Sequence, residues 1–216
     1  MWLERSETQT QSATVDVHFK LECAQLPVEH AEPLAQALAL HLPWLAKSAA
    51  IHSLGASGGN GWSPPEGRIN QVLTLPRRTR LRLRVPRARA AELTQLNGIG
   101  LDIAGYALKL LDAHVRELVP EPTLFARRIV VHDAHDEAAL LEAAIAHLAE
   151  LDIEASKLLC GRAGEVKLTA GTLTTRALMV AELLPHESLR LQDAGFGHYQ
   201  HLGCGVFVPH KNIAPV

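Results

Sequence analysis

The sequence predicts an α+β fold of two successive halves, each on a ferredoxin-like plan, and three observations predict it. Short runs of strict apolar/polar alternation mark strands, alanine- and leucine-rich stretches of helical period lie between them, and a proline pair at Pro120 and Pro122 separates two such series. With 216 residues, 47% of them hydrophobic, the chain is long enough to bury a sizeable core as one large domain or two small ones. The expected division is 1–119 and 120–216.

In the first half, residues 13–22 (ATVDVHFKLE) set Val15, Val17, Phe19 and Leu21 against Asp16, His18 and Lys20, a half-buried strand with His18 on the solvent side. Pro27 precedes a helix over 28–45, in which Leu34, Leu38, Leu42 and Leu45 recur at helical spacing and Pro43 ends or kinks the run. His30 sits at its start, facing solvent. A short strand at 50–54 opens into a glycine- and proline-rich loop at 55–67. Strands follow at 70–75 and 79–85; in the second, Leu81, Leu83 and Val85 face one way and Arg80, Arg82 and Arg84 the other. A short helix at 87–96 and strands at 101–104, 106–111 and 113–118 complete the half.

The second half repeats the plan without sharing text with the first. A strand at 123–132 leads to a helix at 136–151, strands at 157–162 and 165–168 flank Gly164, and a further strand covers 174–183. A helix at 185–192 starts on Pro185, and a last strand at 202–208 is stopped by Pro209.

Composition narrows the function. A net charge of -2 argues against indiscriminate nucleic-acid binding, yet residues 77–89 (RRTRLRLRVPRAR) hold seven arginines and no acid. The Arg80/Arg82/Arg84 stripe is either a strand's solvated face, paired with the acidic helix at 137–154, or a row of phosphate contacts, since a guanidinium fork suits both carboxylate and phosphate. Cys23, Cys160 and Cys204 stand singly and read as free thiols. No histidine pair has metal-ligand spacing, and His132, Asp133, His135 and Asp136 read as a polar turn, so neither metal nor other cofactor is expected. No apolar run is long enough for a membrane span and the N-terminus lacks a signal-peptide plan, so a cytoplasmic protein is expected.

The most informative stretch is 195–211, GFGHYQHLGCGVFVPHK. Gly195/Gly197 and Gly203/Gly205 form two Gly-x-Gly pairs five residues apart, suited to positive φ and to close approach of another chain, most simply a phosphate backbone. A dinucleotide fingerprint requires a strand before and a helix after; here a strand follows.

This loop, with RTRLRLRVP at 78–86, TLFARRIV at 123–130, KLLCGR at 157–162 and ESLRLQ at 187–192, resembles the CRISPR-associated repeat-cleaving endoribonucleases, the sixth Cas family of the RAMP superfamily, in a myxobacterial-type branch. The resemblance implies tandem ferredoxin-like (RRM-like) domains. It further implies metal-independent cleavage of CRISPR precursor RNA within each repeat by 2′-OH attack, leaving a 2′,3′-cyclic phosphate and a 5′-OH. A catalytic histidine is then expected between the end of the first helix and the next strand, often with a tyrosine or lysine; that window holds His41, Lys47 and His52, and Ala50-Ile51-His52 matches the branch best. Repeat stem-loop RNA would be held by Gly195, Gly197, His198, His201, Gly203 and Gly205, and by Arg80, Arg82 and Arg84. The loop's five central residues, 198–202, contain no lysine or arginine, so its cation would come from Lys211 or Arg190, or from the two histidines only at lower pH. Two other classes remain open: a catalytically silent RNA-binding subunit of a CRISPR effector complex with the same fold, and a housekeeping RRM-like binder, disfavoured by 4% aromatic content.

Overall fold

The computed structural model describes residues 11–54, 72–131, 136–154 and 157–210. Three antiparallel sheets organise them. The first has five strands in the order β3-β5-β1-β7-β6: β1 (Thr14–Glu22), β3 (Ala50–Ile51), β5 (Arg80–Pro86), β6 (Gly100–Ile103) and β7 (Tyr106–Arg116). A separate two-stranded ribbon joins β2 (Gln25–Pro27) to β4 (Val72–Thr74), so the strand expected at 70–75 stands outside the main sheet. The third sheet has the order β11-β8-β10-β9, from β8 (Leu124–Ile129), β9 (Lys157–Leu168), β10 (Gly171–Ala181) and β11 (Val208–Pro209). With α3 (Glu137–Glu150) after β8 and α4 (Pro185–Ala194) after β10, the second half runs strand, helix, two strands, helix, strand, where the sequence reading places three strands between the helices.

Each sheet has a core built by period-two burial. Val15, Val17 and Phe19 of β1 and Leu81, Leu83 and Val85 of β5 are at most 1% exposed, which is the inward half of the alternation. Against them pack Leu34 and Leu38 of α1 (Ala31–His41) and Leu93 and Leu96 of a 3-10 helix, Arg87–Leu96. In the second half Leu140, Ala144 and Leu148 of α3 and Leu191 of α4 pack on Leu124, Leu178 and Val180. Asp136 caps α3 by accepting from the Ala138 amide at 2.9 Å. Pro185 opens α4, and Glu187 reaches back to accept from the Leu184 amide at 2.7 Å.

Several boundaries differ from the sequence reading for local reasons. The first helix stops at His41; Pro43 lies beyond its end, and a single turn, α2 (Leu45–Ser48), follows. The strands expected at 106–111 and 113–118 are one strand, β7, because Asp112 takes positive φ (49°) as a bulge and the Ala113 amide donates to Asn97 Oδ1 at 2.9 Å. β9 likewise runs unbroken through Gly164. The strand expected at 202–208 is absent: a 3-10 turn at Gln200–Leu202 and an irregular path precede the two-residue β11, in which Pro209 is itself paired with Leu124. Only two residues pair there because the preceding glycines hold positive φ and turn the chain off the sheet.

The halves are joined by polar contacts, buried at Arg84 and exposed at Glu32. Arg84, expected to point outward with Arg80 and Arg82, is 4% exposed. Its Nε and Nη2 donate to Asp16 Oδ1 and Oδ2 at 2.8 and 3.2 Å, and its Nη1 donates to the carbonyls of Gln192 and Phe207 at 2.9 and 2.8 Å. A strand side chain facing a second body of protein does not face solvent, and alternation alone cannot tell the two apart. Asp193 of α4 accepts from the Ala13 and Thr14 amides at 3.1 and 3.0 Å, and Glu32 accepts from the Thr169 amide at 2.7 Å. Leu202 from the loop after α4 is buried in the first core.

Arg84→Ala is expected to lower the free energy of urea unfolding by about 3–5 kcal/mol, because it leaves a buried carboxylate and two carbonyls without their donor. Arg82→Ala, on an exposed neighbour of the same strand, should change it by less than about 0.5 kcal/mol.

A candidate RNA-cleaving cleft between the two halves

A cleft opens where the end of β3 meets the loop after α4. His30, Ala31, Leu34, Ile51, His52, Ser53, Leu54, Arg128 and Leu202 line it. His52 reaches it because β3 pairs at the edge of the first sheet: the His52 amide donates to the Arg82 carbonyl at 2.9 Å, which fixes the backbone just where the strand ends. His30, expected in solvent, is 6% exposed and is the N-cap residue of α1. Its Nδ1 lies 2.9 Å from the Pro27 carbonyl; a carbonyl only accepts, so Nδ1 carries the proton and Nε2 the lone pair.

The His52 ring is tied to the Arg84 fork through Asp16. Its Nε2 lies 3.4 Å from Asp16 Oδ1 but is not aligned as a hydrogen bond, and it is one of the buried polar atoms left without a hydrogen-bond partner. Burial opposes ionisation of Asp16, yet the His52 ring and the Arg84 guanidinium beside it hold its carboxyl well below the usual carboxylate range. For His52 the balance is reversed: burial, aided by Arg84 and Arg82, lowers its proton affinity more than Asp16 raises it. His30 is also lowered, by burial against the opposing pull of its Pro27 contact, with Arg128 contributing in the same sense as burial. Both rings in the cleft are therefore neutral at neutral pH.

The loop that carries the two Gly-x-Gly pairs reaches this cleft through Leu202, and the glycines pack on each other and on their neighbours. All four glycines have φ between 65° and 81°. A Cβ at Gly205 would lie 2.1 Å from the Phe196 carbonyl oxygen, one at Gly197 2.5 Å from that of Val130, and one at Gly203 2.9 Å from that of Ile51. The Gly203 contact presses the loop onto the β3 end that presents His52. Several loop amides are spent inside the protein: Phe196 donates to Gly205, Gly205 to Arg128 and His198 to Val130. Close approach is thus made to the protein's own carbonyls, whereas the sequence pointed to an external phosphate. The exposed tip of the loop is His198 and Tyr199.

The other residues singled out from sequence are dispersed. His41 and Lys47 are exposed and do not line the cleft. Arg80 is half-buried with its Nη1 on the carbonyls of Arg77 and Thr79, whereas Arg82 is exposed and sits opposite His18, which in turn faces His114. Arg190 bonds to the carbonyl of Leu151 and lies 3.6 Å from Asp152. Lys211, the loop at 55–67 and three members of the polar turn, His132, Asp133 and His135, fall outside the described residues. Among the described residues no group of three or more metal-ligating side chains gathers, and no helix is long and apolar enough to cross a membrane. Sequence reasoning missed His30 and Arg128 as lining residues. The signal for Arg128 was its strand text, LFARRI, in which a second arginine interrupts the alternation that puts Arg127 outside.

Gly205→Ala is expected to cost about 3 kcal/mol or more, from positive φ plus the carbonyl clash, whereas Gly98→Ala, with φ +80° and open space, should cost about 1–2 kcal/mol by urea denaturation. The lowered histidines add stability that is fully present above their unfolded pKa near 6.5 and is lost as pH falls below it; Asp16 adds stability lost only below about pH 4. The denaturation midpoint should therefore fall between pH 7 and 5, and less so in a His30→Gln/His52→Gln double variant.

Comparison with known proteins agrees along nearly the whole chain. The family model described as Cas6 Crispr matches residues 15–212. The CRISPR-associated endonuclease Cas6 of Myxococcus xanthus (strain DK1622) is 36% identical over 202 residues, spanning 94% of this chain and 84% of that protein. Among solved structures, a CRISPR associated protein Cas6 superposes with a TM-score of 0.58 at 12% identity, covering 92% of this chain and 100% of its own. A RAMP protein described as binding different RNA substrates gives 0.56 at 12% identity, over 90% of this chain and 98% of its own. These two share the fold, and the sequence match carries the kinship: the chain belongs to the Cas6 family of CRISPR-associated proteins.

Proposed function

We propose that the protein is an endoribonuclease that cuts CRISPR precursor RNA within each repeat, without a metal ion, with the ribose 2′-OH upstream of the scissile phosphate as nucleophile. The observation that carries this reading is the meeting of His52 with the glycine loop at one cleft, on a chain 36% identical to a curated Cas6 endonuclease. The chain would divide into 1–119, carrying His52, and 120–216, carrying the loop, and would work in the cytoplasm on a repeat stem-loop, alone or beside other Cas subunits.

The neighbours of His52 suit it to proton transfer. A carboxylate can only accept, so Asp16 favours the tautomer with the proton on Nε2, which leaves the Nδ1 lone pair for the 2′-OH. The 2′-oxygen bonds to phosphorus, the bond from phosphorus to the 5′-oxygen breaks, and that oxygen takes a proton from the imidazolium or from water. The products are a 2′,3′-cyclic phosphate and a 5′-OH. The exposed Arg82, with His18 and His114 beside it, would meet the phosphates of the stem, which A-form RNA presents more readily than its base edges. A second reading, an RNA-binding subunit that does not cut, is favoured by one feature: His52 is only 8% exposed.

Incubation with the repeat RNA of its own locus in EDTA separates the two. Cleavage is expected, and His52→Ala should slow its single-turnover rate about 100- to 10,000-fold while the dissociation constant stays within a few-fold. His41→Ala should cut at the wild-type rate. Binding without cutting, with or without divalent metal, would leave only the silent subunit. Arg82→Glu should weaken binding and flatten its salt dependence, the log–log slope falling by about one for each phosphate contact removed.

A further inference from the structure

The second sheet has two faces, and its helices cover only one. α3 and α4 pack on Leu124, Ala126, Ile129, Leu178 and Val180, with Leu158 and Cys160 against the same core. Side chains alternate along a strand, so Phe125, Met179 and Leu159, each flanked by members of that core, point to the other face. The register aligns them. Val208 pairs with Phe125, Phe125 with Met179 and Met179 with Leu159, which makes one apolar row across all four strands. Leu159 is 57% exposed and the other three are half-buried. Three interstrand spacings give the row a length of about 14 Å.

A row of guanidinium groups runs beside it. Both ladders of β10 shift register at the same level: Arg176 faces Ile129 and Ala163, whereas Leu178 faces Ala126 and Cys160. Arg127 and Arg128 on β8, and Gly161 and Arg162 on β9, therefore stand against the single residue Ala177. Bulges of this kind re-aim side chains. Ala126, Ile129 and Cys160 keep their places toward the helices, so the residues between them turn to the open face, and Arg127 and Arg162 are exposed there. On the other side of the apolar row, Lys157 is neutralised by Glu182, and the exposed His210 ring stands edge-on to Phe125 at 5.8 Å. Beyond the bulge the same face is closed by Val130, Val166 and Cys204. The open area thus consists of the apolar row and its arginine border.

We infer that this open face is a track for an unpaired RNA segment, with nucleobases lying on Phe125 and Met179 and phosphates on Arg127 and Arg162. An apolar strip bordered by guanidinium forks matches a single strand, whose base faces are apolar and whose backbone is anionic. A four-stranded sheet of this kind is also what RRM modules use to stack bases. Phe125 is the one aromatic residue in the row, so it stacks one base, and the Met179 thioether offers apolar contact to the next. Arg127 adjoins Arg128, which lines the cleft, so the track starts where the cleft ends. The inference rests on the RNA-binding part of the endoribonuclease reading and assigns the single-stranded flank of the repeat to the second sheet.

A decauridine oligonucleotide, which forms no stem, tests the track without any cutting. Fluorescence anisotropy with the full chain should show Phe125→Ala weakening binding about 5- to 100-fold, while Phe125→Tyr, which keeps the ring, stays within a few-fold of wild type. Arg127→Gln and Arg162→Gln should each lower the log–log salt slope by about 0.7. Both arginines are exposed, so these variants keep the test decisive even where Phe125→Ala lowers the melting temperature. Ultraviolet cross-linking of the decauridine should label peptides containing Phe125 or Met179. Equal affinity in wild type, Phe125→Ala and both arginine variants, or cross-links confined to other strands, overturns the proposal and leaves the face to a protein partner. A protein that cuts its repeat RNA but binds decauridine independently of Phe125 overturns the track alone. One that binds through Phe125 and never cuts leaves the track standing and overturns the cleavage reading.

Discussion

The bidentate pair of Arg84 with Asp16 is the contact on which the rest of the arrangement depends. Buried charge is costly unless every group is paired, and here one guanidinium answers both oxygens of a carboxylate and two carbonyls of the other half. The carbonyls belong to Gln192 in α4 and Phe207 in the loop before β11, so the fork sets the second half against the first sheet at a fixed place. Asp193 on the start of β1 and Leu202 in the first core close the same seam with a polar and an apolar contact. None of these groups is free to reorganise alone, because each would strand a buried partner.

The seam also defines the site. Asp16 Oδ1 accepts from Arg84 Nε and lies 3.4 Å from His52 Nε2, so the carboxylate that holds the halves together is also the charge beside the histidine ring. The loop glycines complete it from behind: with a side chain at Gly203 the loop could not lie against Ile51, and the cleft wall formed by Leu202 would move away from His52. Stability and function thus share residues, and substitutions at Asp16, Arg84 or Gly203 are expected to disturb both. His52 is a residue at which they can be separated, since its Nε2 has no hydrogen bond to lose.

Much of the fold was legible in the sequence because period-two and period-3.6 burial are local signals. Alternation placed β1, β5, β8 and β10 to within a few residues, and Pro185 marked the start of α4. What was not legible depended on partners remote in sequence. The run at 202–208 is as apolar as a strand, but the positive φ of Gly203 and Gly205 diverts it, and Val206 and Phe207 are buried without pairing. Residues 70–75 pair with 25–27, a choice that alternation cannot express. The Arg80/Arg82/Arg84 stripe looked uniform, yet its three members have three fates, bonded to its own turn, exposed, and buried at the seam.

The site was legible as a list but not as a geometry. His52 and the glycine loop were both visible, one by its place at a strand end and the other by its spacing, and nothing in the text said that they touch. His30 was taken for a surface residue because a helix start is usually wet; the second half covers it. Arg128 was hidden for the opposite reason, since an arginine in the middle of a strand reads as an outward residue whatever lies above it. Arg128 lies across the cleft from the start of α1 and from two histidine rings that burial keeps neutral.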